Sequence, residues 1–340
     1  MVSERVTLKD VAERVGVHPS TVSRVLNPAT RAMVSPEVVE KVTKTARELG
    51  YRPNPLARSL KTRSSGIVGI FVPDLANPMF PEIVRGAESI LVEAGYTPVL
   101  ANTRNDRDRK LMLVDHLRQR QIDGIIIITA LRNDPVMETC RENGIPVVVS
   151  DRGIGESDLP GLVIDHDHGM RAMVSHLRAL GHRELALISA PRHLSTSASR
   201  HRAAVGALSE QGIELLPDRN ACCADFSIEA GRKACRFLIE NAGNITGTLT
   251  TNDQYAIGAI AELYAMGRSC PKDMSITGYN GIRHTQWLRP PITTIELPKR
   301  EMGMKMAKIM LDRLTDPKKE IERAIIQPTL VVRHSTARVF

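Results

Sequence analysis

One short stretch near the N-terminus carries the residue types that recognise nucleic acid. Within eight residues it holds three hydroxyls, one guanidinium and one amide, at Ser20, Thr21, Ser23, Arg24 and Asn27. Hydroxyls and amides hydrogen-bond phosphates or base edges, and a guanidinium can grip guanine through two of its nitrogens. At helical spacing the apolar residues between them, Val22, Val25 and Leu26, can turn inward. We therefore expect a helix with one face for DNA and one face for a core.

The residues before this stretch predict a partner helix. Thr7 can cap it with Asp10 in its first turn, and apolar residues recur at i, i+3, i+4 and i+7 over 8–15. Gly16 ends this helix, and His18-Pro19 opens the second one with proline at its first position. Two short helices joined by a Gly-containing turn predict a helix-turn-helix, which places its second helix in the major groove. An ordinary helical hairpin is the alternative.

A third helix and a basic connector complete the N-terminal region. Ser35-Pro36-Glu37 has the residue types of a helix start, and apolar residues then line one face over 38–49. Two prolines flank Asn54, which predicts an extended connector followed by a short helix over 54–62. So short a helix needs a partner helix or DNA to form, and an apolar residue among basic ones suits a minor-groove wedge. A plain flexible linker is the alternative.

Charge is distributed unevenly along the 340 residues. Residues 1–64 carry twelve Lys and Arg against six Asp and Glu, so they hold +6 of the formal net charge of +8. Because residues 1–64 are basic and the rest of the chain is nearly neutral, we expect a polyanion to bind the N-terminal region alone. No apolar run has transmembrane length, the first ten residues lack a signal-peptide core, and the five cysteines show no paired framework. We therefore expect a cytoplasmic protein without a membrane partner.

From residue 64 the pattern alternates strands and helices. Continuous apolar strands and amphipathic helices recur over 67–151, and the rhythm restarts and runs to 280. Such strands are typical of a parallel sheet covered on both faces. The length allows two lobes of ordinary domain size. A strand and a helix over 292–314 follow, and then a last strand pair.

Polar and aromatic side chains gather at the ends of these strands. Ligands of open α/β sheets bind beyond the carboxyl ends of the strands, which between two lobes means the cleft. The candidates there are Pro73-Asp74, Asp151-Arg152, the loop Ser195–Arg200, Phe226, Asn252-Asp253 and Tyr279-Asn280. Asp, Asn and Arg can bracket sugar hydroxyls, and an aromatic face can cover the apolar side of a sugar. The alternatives are helix capping for Asp151 and Asn252 and core packing for Phe226, as also for Phe80 near the start of the helix predicted over 78–95.

The stretches VTLKDVAERVGVHPSTVSRVLN and YRPNPLARSLKTR resemble the headpiece and hinge of the lactose/galactose repressor (LacI/GalR) family. The alternating body resembles the core of the same family. The resemblance implies an all-α helix-turn-helix headpiece followed by an α/β periplasmic-binding-protein-like core of two parallel-sheet lobes. It also implies that hinge helices pair across a homodimer, with Leu60 wedged into the operator centre. The implied DNA-binding residues are Thr7, His18, Pro19, Ser20, Thr21, Ser23, Arg24, Asn27, Asn54, Ala57, Arg58 and Leu60.

The same resemblance implies the domain boundaries. The headpiece with its hinge helix (54–62) takes residues 1–62, and the effector-binding and dimerisation core takes 63–340. The chain is expected to cross between lobes near 164, 290 and 322. The first lobe then holds about 65–164 and 292–322, and the second about 165–291 and 323–340.

For the cleft the resemblance supports seven effector-binding residues: Phe80, Asp151, Thr196, Arg200, Phe226, Asn252 and Asn280. Arg200 is the strongest of them, because a charged residue in a cleft needs a partner. The chain departs from the family at Asn280, where a Gly-Tyr-Asp sequence is usual, and at Leu297, where Gln is frequent. Both changes reduce the polar or negative character of the cleft. With Arg132, Arg152 and Arg200 nearby, our hypothesis is an acidic effector, such as a sugar acid or sugar phosphate.

Motifs of enzymes are absent from the sequence, which has no GxGxxG, Walker, HExxH or GxSxG pattern. His166 and His168 lack a further metal ligand beside them, so we expect neither a metal nor another cofactor. The expected function is a transcriptional regulator, a repressor, that binds a palindromic operator as a homodimer under control of a small-molecule effector. A solute-binding protein or a sugar-modifying enzyme on the same core is the alternative. Residues 312–340 lack a leucine heptad, which favours a dimer over a tetramer.

Overall fold

Three short helices form the N-terminal unit of the computed structural model, which describes residues 6–27, 30–51, 64–129, 134–150, 159–320 and 323–339. Contacts divide the chain into two units, 1–65 and 66–340. The helices of the first unit are α1 (Leu8–Val15), α2 (Pro19–Leu26) and α3 (Pro36–Glu48). Their buried faces form one core of Val11, Ala12, Val22, Val25, Val42 and Ala46. The predicted helix-turn-helix and its third helix are therefore present.

The starts of these helices follow the sequence only in part. Thr7 and Asp10 form the expected capping box at α1, with the Thr7 amide 2.7 Å from the Asp10 carboxylate. Ser35 occupies the capping position of α3, but its side chain makes no capping hydrogen bond. A favourable residue type at a helix start therefore did not ensure a cap.

The second unit contains two sheets, each of six strands within the described residues. The first sheet has the order β11-β5-β4-β3-β1-β2 and is parallel throughout. Its elements, in chain order, are β1 (Ile67–Val72), α4 (Phe80–Glu93), β2 (Thr97–Asn102), α5 (Arg107–Arg118), β3 (Gly124–Ile127), α6 (Pro135–Glu142), β4 (Val147–Ser150), β5 (Gly161–Ile164), α11 (Lys299–Thr315) and β11 (Arg323–Ile326). We call this group the first lobe.

The second sheet has the order β12-β10-β9-β8-β6-β7, and its edge strand β12 runs antiparallel to β10. Its elements are α7 (His166–Ala179), β6 (Leu185–Ser189), α8 (Ser195–Glu210), β7 (Asn220–Cys222), α9 (Ile228–Asn241), β8 (Gly247–Thr250), α10 (Asp253–Ala265), β9 (Ser275–Asn280), β10 (Thr293–Glu296) and β12 (Thr329–Val331). We call this group the second lobe. The sequence pattern did not predict the short strands β5 and β7.

Two of the three expected lobe crossings lie elsewhere. Strand β10 pairs with β9, so the chain leaves the second lobe after Glu296 and not near 290. Strand β11 pairs with β5, so the chain returns after Ile326 and not near 322. The last strand pair is therefore split between the two sheets, with β11 in one and β12 in the other. Both strands are short and apolar, and only their pairing partners determine the lobe.

Close helix packing and one buried ion pair stabilise the first lobe. Helix α11 packs against α4 so closely that a Cβ at Gly303 would overlap the Ile83 carbonyl oxygen. Lys110 on α5 donates to Asp134 at 2.6 Å, and both side chains are at most 1% exposed. Asp134 also caps α6. Among the described helices, none has both the length and the apolar composition needed to cross a membrane.

Candidate functional site

The outward face of α2 carries the polar residues that the sequence predicted. His18, Ser20 and Arg24 are exposed, whereas Val22 and Val25 are buried in the headpiece core. The remaining predicted residues of this face are partly exposed: Pro19, Thr21, Ser23 and Asn27. Thr7 is exposed at the start of α1. A helix with this face offers hydroxyl groups and one guanidinium to a groove.

His18 has a structural function that the sequence did not reveal. It is the N-cap of α2, and its Nδ1 accepts a hydrogen bond from the Ser20 amide at 3.2 Å. The same nitrogen lies 2.8 Å from the Ser20 hydroxyl. The imidazole therefore takes the position that Ser, Thr, Asp or Asn usually occupies, and it fixes the first turn of the polar helix.

Five of the predicted residues fall outside the part of the chain that the structure describes. They are Asn54, Ala57, Arg58 and Leu60 of the hinge and Asp151 of the cleft. Arg132 and Arg152 lie outside it as well.

A cavity of about 760 Å³ opens between the two lobes of the second unit. Five predicted effector-binding residues line it: Phe80, Thr196, Arg200, Phe226 and Asn252. Residues that follow strands of the first lobe also contribute, among them Asp74, Arg104 and Thr129. The volume lies within the usual range of small-molecule sites. Asn280 and Leu297 do not line this cavity, although both are buried.

Arg200 lies on a helix and not on the expected loop, because α8 already begins at Ser195. Its side chain is 3% exposed. One nitrogen, Nη1, donates to the Thr251 carbonyl at 3.0 Å, and the guanidinium carbon lies 4.2 Å from the centre of the Tyr279 ring. Nε and Nη2 have no hydrogen-bond partner among the described residues. The cavity therefore contains a fixed cation with free donors.

The other predicted residues divide between positions that face the cavity and positions that support its wall. Phe226 is partly exposed and stacks on Tyr255, with ring centres 6.2 Å apart and planes 7° apart, so it presents an aromatic face. Phe80 is 5% exposed and belongs to the core as well as to the cavity wall. Asn252 caps α10 through a 2.9 Å hydrogen bond from the Gln254 amide. The capping alternative for Asn252 is thus correct, and its side chain still borders the cavity.

Asn280 ends β9 in a left-handed conformation, with φ of 114°. Its side chain is fully buried, and neither amide atom has a partner among the described residues. The main-chain carbonyl of Asn280, by contrast, accepts a hydrogen bond from the Lys299 amino group at 2.7 Å. Burial lowers the pKa of Lys299. A strained residue thus joins the second lobe to the first helix turn of α11.

Asp253, next to the cavity wall, is completely buried. Its two oxygens accept from the Thr294 hydroxyl at 2.6 Å and from the Ile282 amide at 2.7 Å. Burial raises the pKa of this carboxyl, and hydrogen bonds and nearby cations only partly oppose that effect. Asp253 therefore serves the fold and offers little to a ligand.

Backbone strain marks a part of the site that the sequence missed. Arg104, Asn105 and Thr129 have positive φ angles of 55°, 54° and 60°, and all three line the cavity. Such conformations are uncommon outside glycine and concentrate at functional sites. The sequence feature that could have identified these residues is their position just after strands β2 and β3.

The histidine pair proves to be part of the fold. Nδ1 of His166 lies 2.8 Å from the Tyr279 hydroxyl, and Asp165 caps α7 through the His168 amide at 2.9 Å. The described ranges hold no cluster of three metal-ligating side chains.

Comparison with known proteins gives consistent matches along the chain. A family profile described as "Bacterial regulatory proteins, lacI family" matches residues 7–54, and one described as "Periplasmic binding protein-like domain" matches 174–336. The ribose operon repressor of Halalkalibacterium halodurans is 32% identical to this chain, and the alignment covers 97% of each of the two sequences. The lac repressor dimer bound to operator and the anti-inducer ONPF superposes with a TM-score of 0.88 at 27% identity, covering 98% of this chain and 100% of that one. The complex of the transcriptional regulator CelR with cellobiose gives 0.75 at 30% identity, covering 97% and 100%.

Proposed function

This chain belongs to the lacI family of bacterial regulatory proteins, and on that premise we propose that it is a repressor controlled by a small-molecule effector. It binds a palindromic operator as a homodimer. The observation that carries the proposal is the outward face of α2, where Ser20 and Arg24 are exposed above a buried apolar face. An operator-binding repressor works at the chromosome, so the proposed location is the cytoplasm.

The homodimer places two copies of α2 on one operator. Two recognition helices related by a two-fold axis read half-sites about 34 Å apart, or a multiple of that distance. Solved lac repressor binds operator as a dimer, which supports the same assembly here. The hinge residues 54–62, with Leu60, are proposed to pair at the operator centre.

The interlobe cavity is the proposed effector site. A relative with ribose in its name and another in complex with cellobiose support a sugar. A sugar acid or a sugar phosphate is proposed because the cavity holds the buried guanidinium of Arg200. An effector that binds one arrangement of the lobes better than another changes operator affinity, and coupling of about 1–3 kcal/mol gives a 5- to 150-fold effect. The proposed effector contacts are Phe80, Asp151, Thr196, Arg200, Phe226 and Asn252, together with Asn280, which does not line the cavity in this structure but has a buried side-chain amide with no partner among the described residues.

Two other functions fit the second unit alone. A solute-binding protein has no use for a helix-turn-helix unit, and relatives named as repressors do not support an enzyme. Removal of residues 1–62 separates the possibilities, because cleft binding should persist in every case. Loss of DNA retention on this removal is expected only for the repressor.

Selection of bound oligonucleotides from a random pool, followed by anisotropy titration, tests the proposal. Arg24→Ala should weaken binding to the selected site by about 5- to 150-fold, which corresponds to about 1–3 kcal/mol, and should relax preference at one base position. Arg47→Ala on α3, an exposed arginine on another helix, is the matched control and should leave base preference unchanged. Equal binding of the selected site and a scrambled duplex at moderate salt would overturn the proposal.

A further inference from the structure

A second cavity lies where the two lobes meet, apart from the proposed effector site. It has a volume of about 450 Å³, and among the described residues none lines both this cavity and the larger one. The first lobe contributes the N-terminal turns of α4 and α11, and the second lobe contributes residues 281–286, the end of β10 and Arg333. A space of this size can hold a small molecule that contacts both lobes.

Positive charge is in excess around this second cavity. Within the described part of the chain, its wall carries five cationic side chains against three carboxylates, whereas the wall of the effector cavity carries two arginines against two aspartates. A wall with an excess of one sign of charge concentrates ligands of the opposite sign. The second cavity therefore favours an anion more than the effector cavity does. Its cations are Arg85, Arg283, Lys299, Arg300 and Arg333.

Two of these cations are fixed in place by the fold. Lys299 is 8% exposed, and its amino group donates to the main-chain carbonyls of Asn280 and Gly281, both at 2.7 Å. Arg333 is half-buried and donates through Nη1 to the Ile292 carbonyl at 2.7 Å. Carbonyl oxygens satisfy these donors but do not neutralise their charge. Because burial lowers the pKa of Lys299, a nearby anion would favour the charged form of this side chain.

Two other cations are available to a ligand. Arg283 and Arg300 are exposed, and neither guanidinium has a hydrogen bond or an ion pair within the described ranges. Each can therefore hold two oxygens of one phosphate or carboxylate group. Arg283 belongs to the second lobe, whereas Arg300 lies in the first turn of α11, where the side chain of Pro298 provides no cap. The positive end of this helix adds to the charge of the guanidinium.

The three carboxylates of the wall do not reverse this preference. Glu82 is already paired with Arg85, at 3.1 Å. Glu296 is partly exposed and Glu301 is exposed, and carboxylates in contact with water bind arginine only weakly. A ligand with two anionic groups competes well against them, because it can contact two guanidinium groups at once.

We propose that this second cavity binds a small polyanion, a molecule with two or more phosphate or carboxylate groups. One group accepts hydrogen bonds from Arg283 of the second lobe, and another accepts them from Arg300 of the first lobe. Lys299 and Arg333 supply fixed positive charge beside them. The ligand thus joins one lobe to the other at a place distinct from the effector cavity. This site does not depend on operator binding, so a failure of the repressor function would leave it standing.

Calorimetry with polyanions and their single-group analogues tests the charge of the ligand. The full-length protein is titrated with inorganic pyrophosphate and phosphate, and with citrate and acetate, at fixed ionic strength and without divalent cations. Pyrophosphate or citrate should bind at least about tenfold more tightly than its analogue, because a second charge-assisted contact contributes at least that factor. The pyrophosphate and citrate titrations distinguish phosphate ligands from carboxylate ligands.

Matched arginine variants test the place of binding. Arg283→Gln and Arg300→Gln should each weaken binding of the polyanion by about tenfold, because each removes one charge-assisted contact. Arg104→Gln makes the same change at the wall of the effector cavity, and Arg24→Gln makes it in the headpiece. Neither of these two controls should alter the affinity for the polyanion. All four arginines are exposed, and the melting temperature of each variant confirms that it is folded.

Several results overturn the inference. Neither pyrophosphate nor citrate binds, or each binds no more tightly than its single-group analogue. The affinity is unchanged in Arg283→Gln and Arg300→Gln. Alternatively, the affinity falls in Arg104→Gln or Arg24→Gln, which would place the polyanion in the effector cavity or on the headpiece. Operator retention is measured on the same preparations, and its loss with polyanion binding retained removes only the repressor function.

Discussion

Two helices of the headpiece begin at residues whose side chains behave oppositely. His18 caps α2 by accepting from the Ser20 amide at 3.2 Å, whereas the Ser35 side chain makes no capping hydrogen bond at α3. Residue type alone predicts the reverse, because serine is a preferred N-cap residue and histidine is not. Alanine substitutions at the two positions therefore separate the geometry from the statistical preference.

The expected magnitudes differ enough to measure. His18→Ala removes an acceptor from the first turn of α2 and should cost about 1 kcal/mol, within a range of about 0.5–2. Ser35→Ala removes no capping bond and should change stability by only a few tenths of a kcal/mol, about the level of an ordinary surface substitution. His18→Asn is the matched control, since its side-chain oxygen can accept from the same amide.

Hydrogen exchange followed by mass spectrometry reads the two helices separately. A loss of about 1 kcal/mol should speed exchange of amides in 19–26 about fivefold in His18→Ala. The rate should be unchanged over 36–48 in Ser35→Ala and close to that of the parent over 19–26 in His18→Asn. If Ser35→Ala and His18→Ala destabilise equally, or if asparagine fails to restore protection, the capping role of His18 is wrong.

Three further predictions concern the second unit. Asp134→Asn leaves its buried lysine partner unpaired and should lower the free energy of unfolding by about 3–5 kcal/mol in urea titration. The control is Asp312→Asn, which breaks an exposed ion pair of 2.7 Å and should lower the same free energy by about 0–1 kcal/mol. Equal losses in the two variants would contradict the role of burial. Gly303→Ala should lower the melting temperature because its Cβ meets backbone, and Gly206→Ala, in open space on α8, should raise stability by about 0.4–1 kcal/mol. Burial lowers the pKa of His182, so the contribution of the neutral imidazole to stability is complete above about pH 6.5 and declines as the pH falls below that value. In His182→Gln the urea midpoint should therefore depend less on pH between about pH 7 and 5. The same pH dependence in the variant and the parent would refute this role of His182.

The headpiece was predictable because its signals are local. Apolar periodicity, the Thr7–Asp10 pair and proline at the first position of α2 all act within one or two helical turns, and each is present in the structure. The alternation of strands and helices in the body was predictable for the same reason. The lobe to which β10 and β11 belong could not be predicted in this way. It depends on the pairing of β10 with β9 and of β11 with β5, and β5 is far from β11 in the sequence.

The cleft shows a different kind of failure. The stretch 195–200 was expected to be a loop, and clusters of serine and threonine such as this one are typical of loops. It is instead the first part of α8, and its inward positions, Ser195, Ser197 and Arg200, are polar and at most 8% exposed. A helix that turns polar residues inward escapes a search for apolar periodicity. At Ser195 and Arg200 the inward side of the helix lines a cavity and not an apolar core, so polar side chains are placed there.

Several departures from the ordinary rules of folding lie at the interlobe cavity. Buried atoms without a partner among the described residues occur at Thr196 and Arg200, and positive φ angles occur at Arg104, Asn105 and Thr129; all five residues line the cavity. Each departure costs free energy in the isolated chain, since a buried donor without an acceptor and a strained backbone are both unfavourable. A ligand that satisfies the donors recovers part of that cost only while both lobes contact it. The same residues that weaken the empty cleft thus give an effector the means to favour one arrangement of the lobes over another.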